Sequence, residues 1–268
     1  MILFDSHCHI DDKCYVNDLD DVMDRSRQQG VLAVMVVGID RDTSRRAMDI
    51  ASRFDHVYTS VGLHPHDAVQ CSPQVLNELR QLALTQDCVK AWGETGLDFN
   101  RMFSPQKDQE ACFSSQLALA GKLDLPLIFH ERDSRGRFYD ILKSDGPKSR
   151  KGVVHCFSGT KEEMFKYLDL GYYIGITGIL TILQRGEYLR SIVPLIPRDR
   201  LLIETDAPYL TPKPQRNKHR RNEPAFVRSV MECLAQVRKE DPNQLAAAVF
   251  KNTLNLYNIP EDPAWPDK

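Results

Sequence analysis

Positive charge is not in excess here: 35 Lys and Arg stand against 37 Asp and Glu, a formal net charge of −2. A protein basic over its whole surface is therefore excluded, and any contact with a polyanion has to come from a local patch. Long apolar runs are missing too. None approaches the roughly 20 residues that cross a bilayer, so no membrane association is expected. The seven cysteines are odd in number and include no Cys-x-x-Cys pair, which argues against a disulfide framework or a zinc ribbon. Reduced, mostly buried thiols in the cytoplasm are the expectation. The first residues already carry Asp5 and His7, unlike a secretory leader. No repeat, low-complexity linker or second domain is evident. One domain over residues 1–257 is expected, followed by a loosely held tail at 258–268 that contains Pro260, Pro263 and Pro266.

What the chain does have is alternation. Short apolar, β-branched runs occur at Ile2–Ser6, Ala33–Val37, Tyr58–Gly62, Val89–Gly93, Pro126–Phe129, Gly152–Val154, Tyr172–Ile176 and Leu201–Ile203. Each is followed by a helical pattern: Asn17–Gln29, Thr43–Phe54 (opened by Asp42), Pro73–Thr85, Pro105–Leu123, Ser134–Lys143, Lys161–Leu170, Glu187–Leu195 and Ala225–Lys239. A further helix is expected at Asn243–Asn255. Alternating units imply a parallel sheet. Eight of them in 268 residues suit one TIM-type (β/α)8 barrel, commonly about 250 residues, with an added C-terminal helix. An open doubly wound sheet is the competitor, but it binds at one switch point. Here ligand-type residues follow six different strands.

Those residues are His7 and His9, His64, Glu94, His130, His155 and Asp206, and they include five of the eight histidines. Imidazole and carboxylate at strand ends are typical ligands of divalent metals. His7 and His9 lie two apart, so on a strand they share a face. Glu94 lies between Gly93 and Gly96, and its two oxygens can each hold one cation, which makes it the natural bridge of a binuclear site. His130 and His155 with Glu94 form a second site opposite His7, His9 and Glu94. Asp206 is placed to ligate one metal and to accept a proton from water. Glu204, two residues earlier on the same strand face, can orient a metal-bound water or a ligand histidine. Asp98 reads as support from outside the ligand set, His64 as a hydrogen-bonding pocket residue, and His66 as part of a loop. Arg132 matches a substrate phosphate, although a surface ion pair is equally open to it. The segment Lys213–Arg221 carries Arg216, Lys218, Arg220 and Arg221 with no acidic residue, and is expected to overhang the same mouth as a polyanion contact.

Taken in order, Asp5-Ser6-His7-Cys8-His9, Gly62-Leu63-His64-Pro65, Gly93-Glu94-Thr95-Gly96-Leu97-Asp98, His130-Glu131-Arg132, His155-Cys156-Phe157-Ser158-Gly159, Glu204-Thr205-Asp206-Ala207-Pro208 and Arg221-Asn222-Glu223-Pro224 resemble the TatD family of metal-dependent deoxyribonucleases. The resemblance spans roughly residues 1–257. It implies a barrel with two divalent metal ions (Mg2+, Zn2+ or Mn2+) that hydrolyses nucleic-acid phosphodiesters, DNA being the expected substrate, often as a 3′–5′ exonuclease. On that pattern His7, His9, Glu94 and Asp206 hold one ion and Glu94, His130 and His155 the other, with Asp206, Glu94 and His64 as the catalytic groups. No obligate protein partner is implied. The alternative is an amidohydrolase-type hydrolase or deaminase of a small molecule on the same barrel. A carboxylate at Glu94, where other binuclear barrels use a modified lysine, disfavours that alternative, as does the basic segment. A non-catalytic nucleic-acid binder would not need so complete a ligand set.

Overall fold

The computed structural model describes residues 1–147 and 151–265. Eight strands follow one another in one parallel sheet: β1 Leu3–Cys8, β2 Val31–Val37, β3 Val57–Val61, β4 Val89–Asp98, β5 Leu127–Arg132, β6 Gly152–Val154, β7 Tyr173–Ile176 and β8 Leu201–Ile203. Just past β8 the chain returns to the first strand, where Asp206 N–H donates to His7 O (2.9 Å) and His9 N–H to Ala207 O (2.7 Å). These bonds complete the ring. Helices α1 Leu19–Gln28, α2 Arg41–Ala51, α3 Pro73–Thr85, α4 Gln106–Leu123, α5 Arg137–Asp145, α6 Lys161–Asp169 and α7 Glu187–Ile192 connect the strands, and α8 Val227–Arg238 and α9 Pro242–Tyr257 follow β8. The (β/α)8 barrel with one extra C-terminal helix is the fold that the alternation implied.

Two strands run further than their apolar stretches suggest. β4 continues through Glu94 to Asp98 because Thr95 to Asp98 pair in register with Phe129 to Arg132 of β5. Glu94 and His130 thus sit on paired strands instead of on loops. The glycines permit this. Gly96 has φ +151°, and a methyl group there would run into the carbonyl oxygen of His130. Gly96→Ala is expected to cost about 3 kcal/mol or more, combining overpacking with backbone strain; urea unfolding is the measurement. Helix α2 is capped by Asp40, not opened by Asp42: Asp40 accepts from Thr43 N–H, and Thr43 answers with its hydroxyl in a capping box.

The interior is filled by inward-facing Phe4, Met35, Val37, Ala91, Ile128, Val153 and Leu202, and α9 adds Phe250, Leu254 and Tyr257 to the same cluster. The rings of Phe250 and Tyr257 lie 6.2 and 6.4 Å from Phe4, and Asn252 bonds to Leu201 O at the start of β8. Helix α9 is therefore a plug in the N-terminal end of the barrel, opposite the histidines. The tail beyond it makes contacts with the barrel. Ile259 is buried, and Trp265 sits edge-on to Phe250 (5.1 Å) and against His56 (5.0 Å); residues 266–268 lie outside the described set. All seven cysteines are free thiols, but only Cys8 and Cys112 are buried and Cys14 is exposed. Among the described residues, no helix is long and apolar enough to cross a membrane.

Candidate metal centre

The C-terminal ends of the strands deliver their polar groups to one place. Strand β1 carries His7 and ends just before His9, β4 carries Glu94 and β5 carries His130, while His64, His155 and Asp206 lie just past β3, β6 and β8. Glu94 is at the centre and almost fully buried. Its two oxygens face different partners. Oε1 lies 2.8 Å from His130 Nδ1, 2.9 Å from His155 Nε2 and 3.3 Å from His64 Nε2. Oε2 lies 3.5 Å from His7 Nε2 and 3.8 Å from His9 Nε2. Asp206 Oδ1 closes that second group, 3.8 Å from His7 Nε2 and 3.6 Å from His9 Nε2.

These spacings test whether cations fit. Four donors about 2.0–2.1 Å from one tetrahedral ion lie roughly 3.3 Å from one another. His7 Nε2 and His9 Nε2 are 3.1 Å apart, and each lies 3.5–3.8 Å from a Glu94 oxygen and from an Asp206 oxygen. Tautomers are a second test, since a ligand nitrogen must carry a lone pair, which it does when the other ring nitrogen donates its proton. His9 Nδ1 lies 3.0 Å from Val37 O. His130 Nε2 lies 3.4 Å from Asp98 Oδ2, and His155 Nδ1 lies 3.5 Å from Glu204 Oε1. His9 Nδ1 thus donates to a backbone carbonyl and leaves Nε2 free to ligate, whereas the far nitrogens of His130 and His155 face carboxylates without closing a hydrogen bond. His64 is the reverse. Its Nδ1 accepts from His66 N–H (3.1 Å), so the neutral ring carries its proton on Nε2, the atom facing Glu94. Grouped by distance alone, His64, Glu94 and His130 would make a ligand set; hydrogen-bond direction favours His155 over His64.

The electrostatics agree with a site that binds positive charge. Burial pushes Glu94 up, but His155, His64 and His130 outweigh it and hold its carboxyl well below the usual range. Asp206 is likewise lowered, burial being overcome by His9, His155 and His7. Burial holds His64 down to about 4, and it remains neutral at neutral pH.

Behind the donors stands Glu204, which accepts from Cys156 N–H and, at 3.3 Å, from Ser6 Oγ–H. It has room because β7 offers Gly175, where a methyl would meet its carboxylate at 2.7 Å. His66 is more than a loop residue: its Nε2 lies 2.7 Å from Asp98 Oδ2 in the wall of the site. The donors lie at the base of a cavity of about 870 Å³, which Arg132 also lines.

The basic segment behaves differently from the expectation. Arg216, Lys218 and Arg220 are exposed, but none of them lines this cavity. Arg221 is engaged within the chain. It makes a two-pronged ion pair with Asp18 of the chain preceding α1 (2.8 and 2.5 Å), donates to Cys14 O and lies 4.6 Å over the Tyr15 ring. The partners are some 200 residues away in sequence, and together they pin the segment to the start of α1. Arg221→Ala is expected to lower the melting temperature while leaving the salt dependence of nucleic-acid binding unchanged.

Two supporting residues escape sequence reasoning, and a third, Asn222, stands there only as part of a motif. Asn222 donates to Thr205 O (2.9 Å) and Tyr209 O (2.6 Å), clamping the backbone on both sides of Asp206. Gln116 accepts from Leu63 N–H (2.9 Å) and donates to Leu63 O (2.9 Å) and Thr95 Oγ1 (2.7 Å), the neighbours of His64 and Glu94. Gln109, seven residues earlier on α4, holds Asp98 N–H (2.8 Å). A signal did exist for the glutamines: both fall on the buried stripe with Cys112, Phe113, Leu117 and Ala120.

Clustered histidines and carboxylates able to hold metal, at the C-terminal mouth of a (β/α)8 barrel, define a hydrolase of the metal-dependent barrel class. The chain belongs to the TatD related DNase family, whose profile matches residues 4–258. It is 40% identical over 260 residues to the 3′-5′ ssDNA/RNA exonuclease TatD of Erwinia tasmaniensis, covering 96% of this chain and 100% of the relative. The protein of the same name from Rahnella sp. is 45% identical over 244 residues, 89% of this chain and 91% of that one. Among solved structures, YJJV, a TatD homologue from Escherichia coli k12, superposes with a TM-score of 0.88 at 31% identity, over 96% of this chain and 98% of that chain.

Proposed function

We propose that this protein is a divalent-metal-dependent exonuclease that removes nucleotides from the 3′ end of single-stranded nucleic acid, DNA in the first place. The observation that carries the reading is the two-sided Glu94 carboxylate, with one set of imidazoles on each oxygen. The 3′-5′ ssDNA/RNA exonuclease named for its relatives supplies the substrate class. His7, His9, Glu94 and Asp206 hold one cation, and Glu94, His130 and His155 the other. This imidazole-rich set suits Zn2+ better than Mg2+ or Mn2+, which prefer oxygen ligands. Divalent cations there supply Lewis acidity for a phosphodiester and lower the pKa of water.

The protein's own groups do the rest. Asp206 takes the proton from the attacking water. His64 Nε2–H, neutral and held in its tautomer by His66 N–H, donates to a phosphoryl oxygen or to the leaving oxygen. Arg132, in the cavity wall, binds a phosphate, and Glu204 fixes the ring of His155. Because the donors lie at the base of a cavity, a strand end has to leave its duplex to reach them. Arg216, Lys218 and Arg220 meet phosphates further along the strand. Replacing all three by Ala is expected to flatten the slope of log affinity against log salt by about 0.7 for each phosphate no longer neutralised.

A 5′-labelled single strand incubated with the metal-loaded enzyme tests the reading. A ladder shortening from the 3′ end, with a matched duplex cut more slowly, is the expected pattern. An uncut strand together with turnover of cyclic amides would put the small-molecule amidohydrolase reading in its place.

A further inference from the structure

Two large apolar rings stand exposed where the fold gives them nothing to pack. Phe103, 67% exposed, lines the cavity on the side of His64 and His130, edge-on to His66 at 4.7 Å. Tyr209, 58% exposed, lines it on the side of His9 and Asp206, edge-on to His9 at 6.3 Å. Neither is loose. The loop carrying Phe103 is tied at one end by Asp98, which accepts from Arg101 N–H (2.8 Å), and at the other by Ser104, whose hydroxyl donates to His66 O (2.7 Å). Tyr209 N–H donates to Asp206 O (2.8 Å), and its carbonyl is held by Asn222. Each ring stands steeply inclined to a histidine of the site and leaves more than half of its surface open at the cavity. The same wall supplies Arg101 and Arg185, both exposed. Among the described residues neither guanidinium has an ion pair.

We propose that Phe103 and Tyr209 are nucleobase platforms, stacking one base on each side of the scissile phosphodiester, with Arg101 and Arg185 on the flanking phosphates. The proposal rests on the nuclease reading and adds to it how a strand is gripped. Rings hold bases by their π-faces, which every base has, so the grip tolerates any sequence. Unpaired guanidiniums match phosphate oxygens. A small cyclic amide has no second base and no flanking phosphate to use these groups.

The test compares metal-loaded wild type, Phe103→Ala and Tyr209→Ala on single strands that are intact, or that lack the base at the 3′-terminal or the penultimate nucleotide. Each Ala variant is expected to lose about tenfold in kcat/KM on the intact strand, within the range of one base–aromatic stack. That deficit should shrink to less than twofold when one particular base is missing, a different one for each variant. Phe103→Trp and Tyr209→Trp should restore turnover. Losses that persist on base-free positions, or no loss at all, overturn the platforms while leaving the nuclease reading intact. A wild-type enzyme that cuts no single strand overturns both.

Discussion

Glu94→Gln is expected to lower kcat/KM on single-stranded DNA by more than the roughly 10–100-fold that loss of an outer hydrogen-bond partner costs a metal site, and to strip metal from both positions. The reason is directional as much as electrostatic. Oε1 and Oε2 each face a different set of imidazoles. An amide keeps one oxygen and turns its NH2 toward the other set, so whichever way it lies, the cation position on that side faces N–H hydrogens instead of a carboxylate oxygen. The negative charge shared by both positions is also gone. The fold should tolerate the change, because Gln is nearly isosteric and the barrel core lies below it. Metal content by atomic absorption, kinetics and thermal unfolding, measured on one preparation, decide the point. Near-normal metal content with normal turnover would refute the bridging role.

Asp206→Asn is expected to cut kcat by about 10²–10⁴-fold, the range of a lost general base, with KM changed only a few-fold. Burial alone would raise this carboxyl, yet His9, His155 and His7 hold it below the usual range, so it is ionised and able to receive a proton. Asn keeps the shape and an oxygen for ligation but cannot accept the proton. Asn222 keeps the backbone clamped at Thr205 and Tyr209 in the variant as in the wild type, so the loss reports chemistry and not a displaced loop. A loss confined to KM points instead to substrate binding.

The fold and the gathering of polar groups were legible because both depend on local pattern. Apolar β-branched runs alternating with helical stripes define the units, and residues such as His7, His9, Glu94 and His155 stand out wherever an apolar run ends. What stayed hidden depends on partners remote in sequence. Arg221 reads as one more charge in a basic stretch until Asp18, on the far side of the chain, is seen to hold it. Strand β4 outlasts its apolar residues because β5 supplies a register partner as far as Arg132. The contact of Trp265 with Phe250 at the barrel bottom is equally invisible in the sequence. The distinction between His64 and His155 is invisible in sequence as well, since both are single histidines after strands. It appears only in what lies behind each ring, a backbone N–H for one and Glu204 for the other.

The most direct test is release of a labelled 3′-nucleotide by enzyme first freed of metal with a chelator, then titrated with Zn2+ or Mn2+. No release is expected from the chelated protein, and full recovery as two equivalents bind, with Glu94→Gln unrecovered at any equivalence. Single-strand cleavage that persists in the chelated enzyme, or that is fully restored in Glu94→Gln, would contradict a metal pair bridged by Glu94.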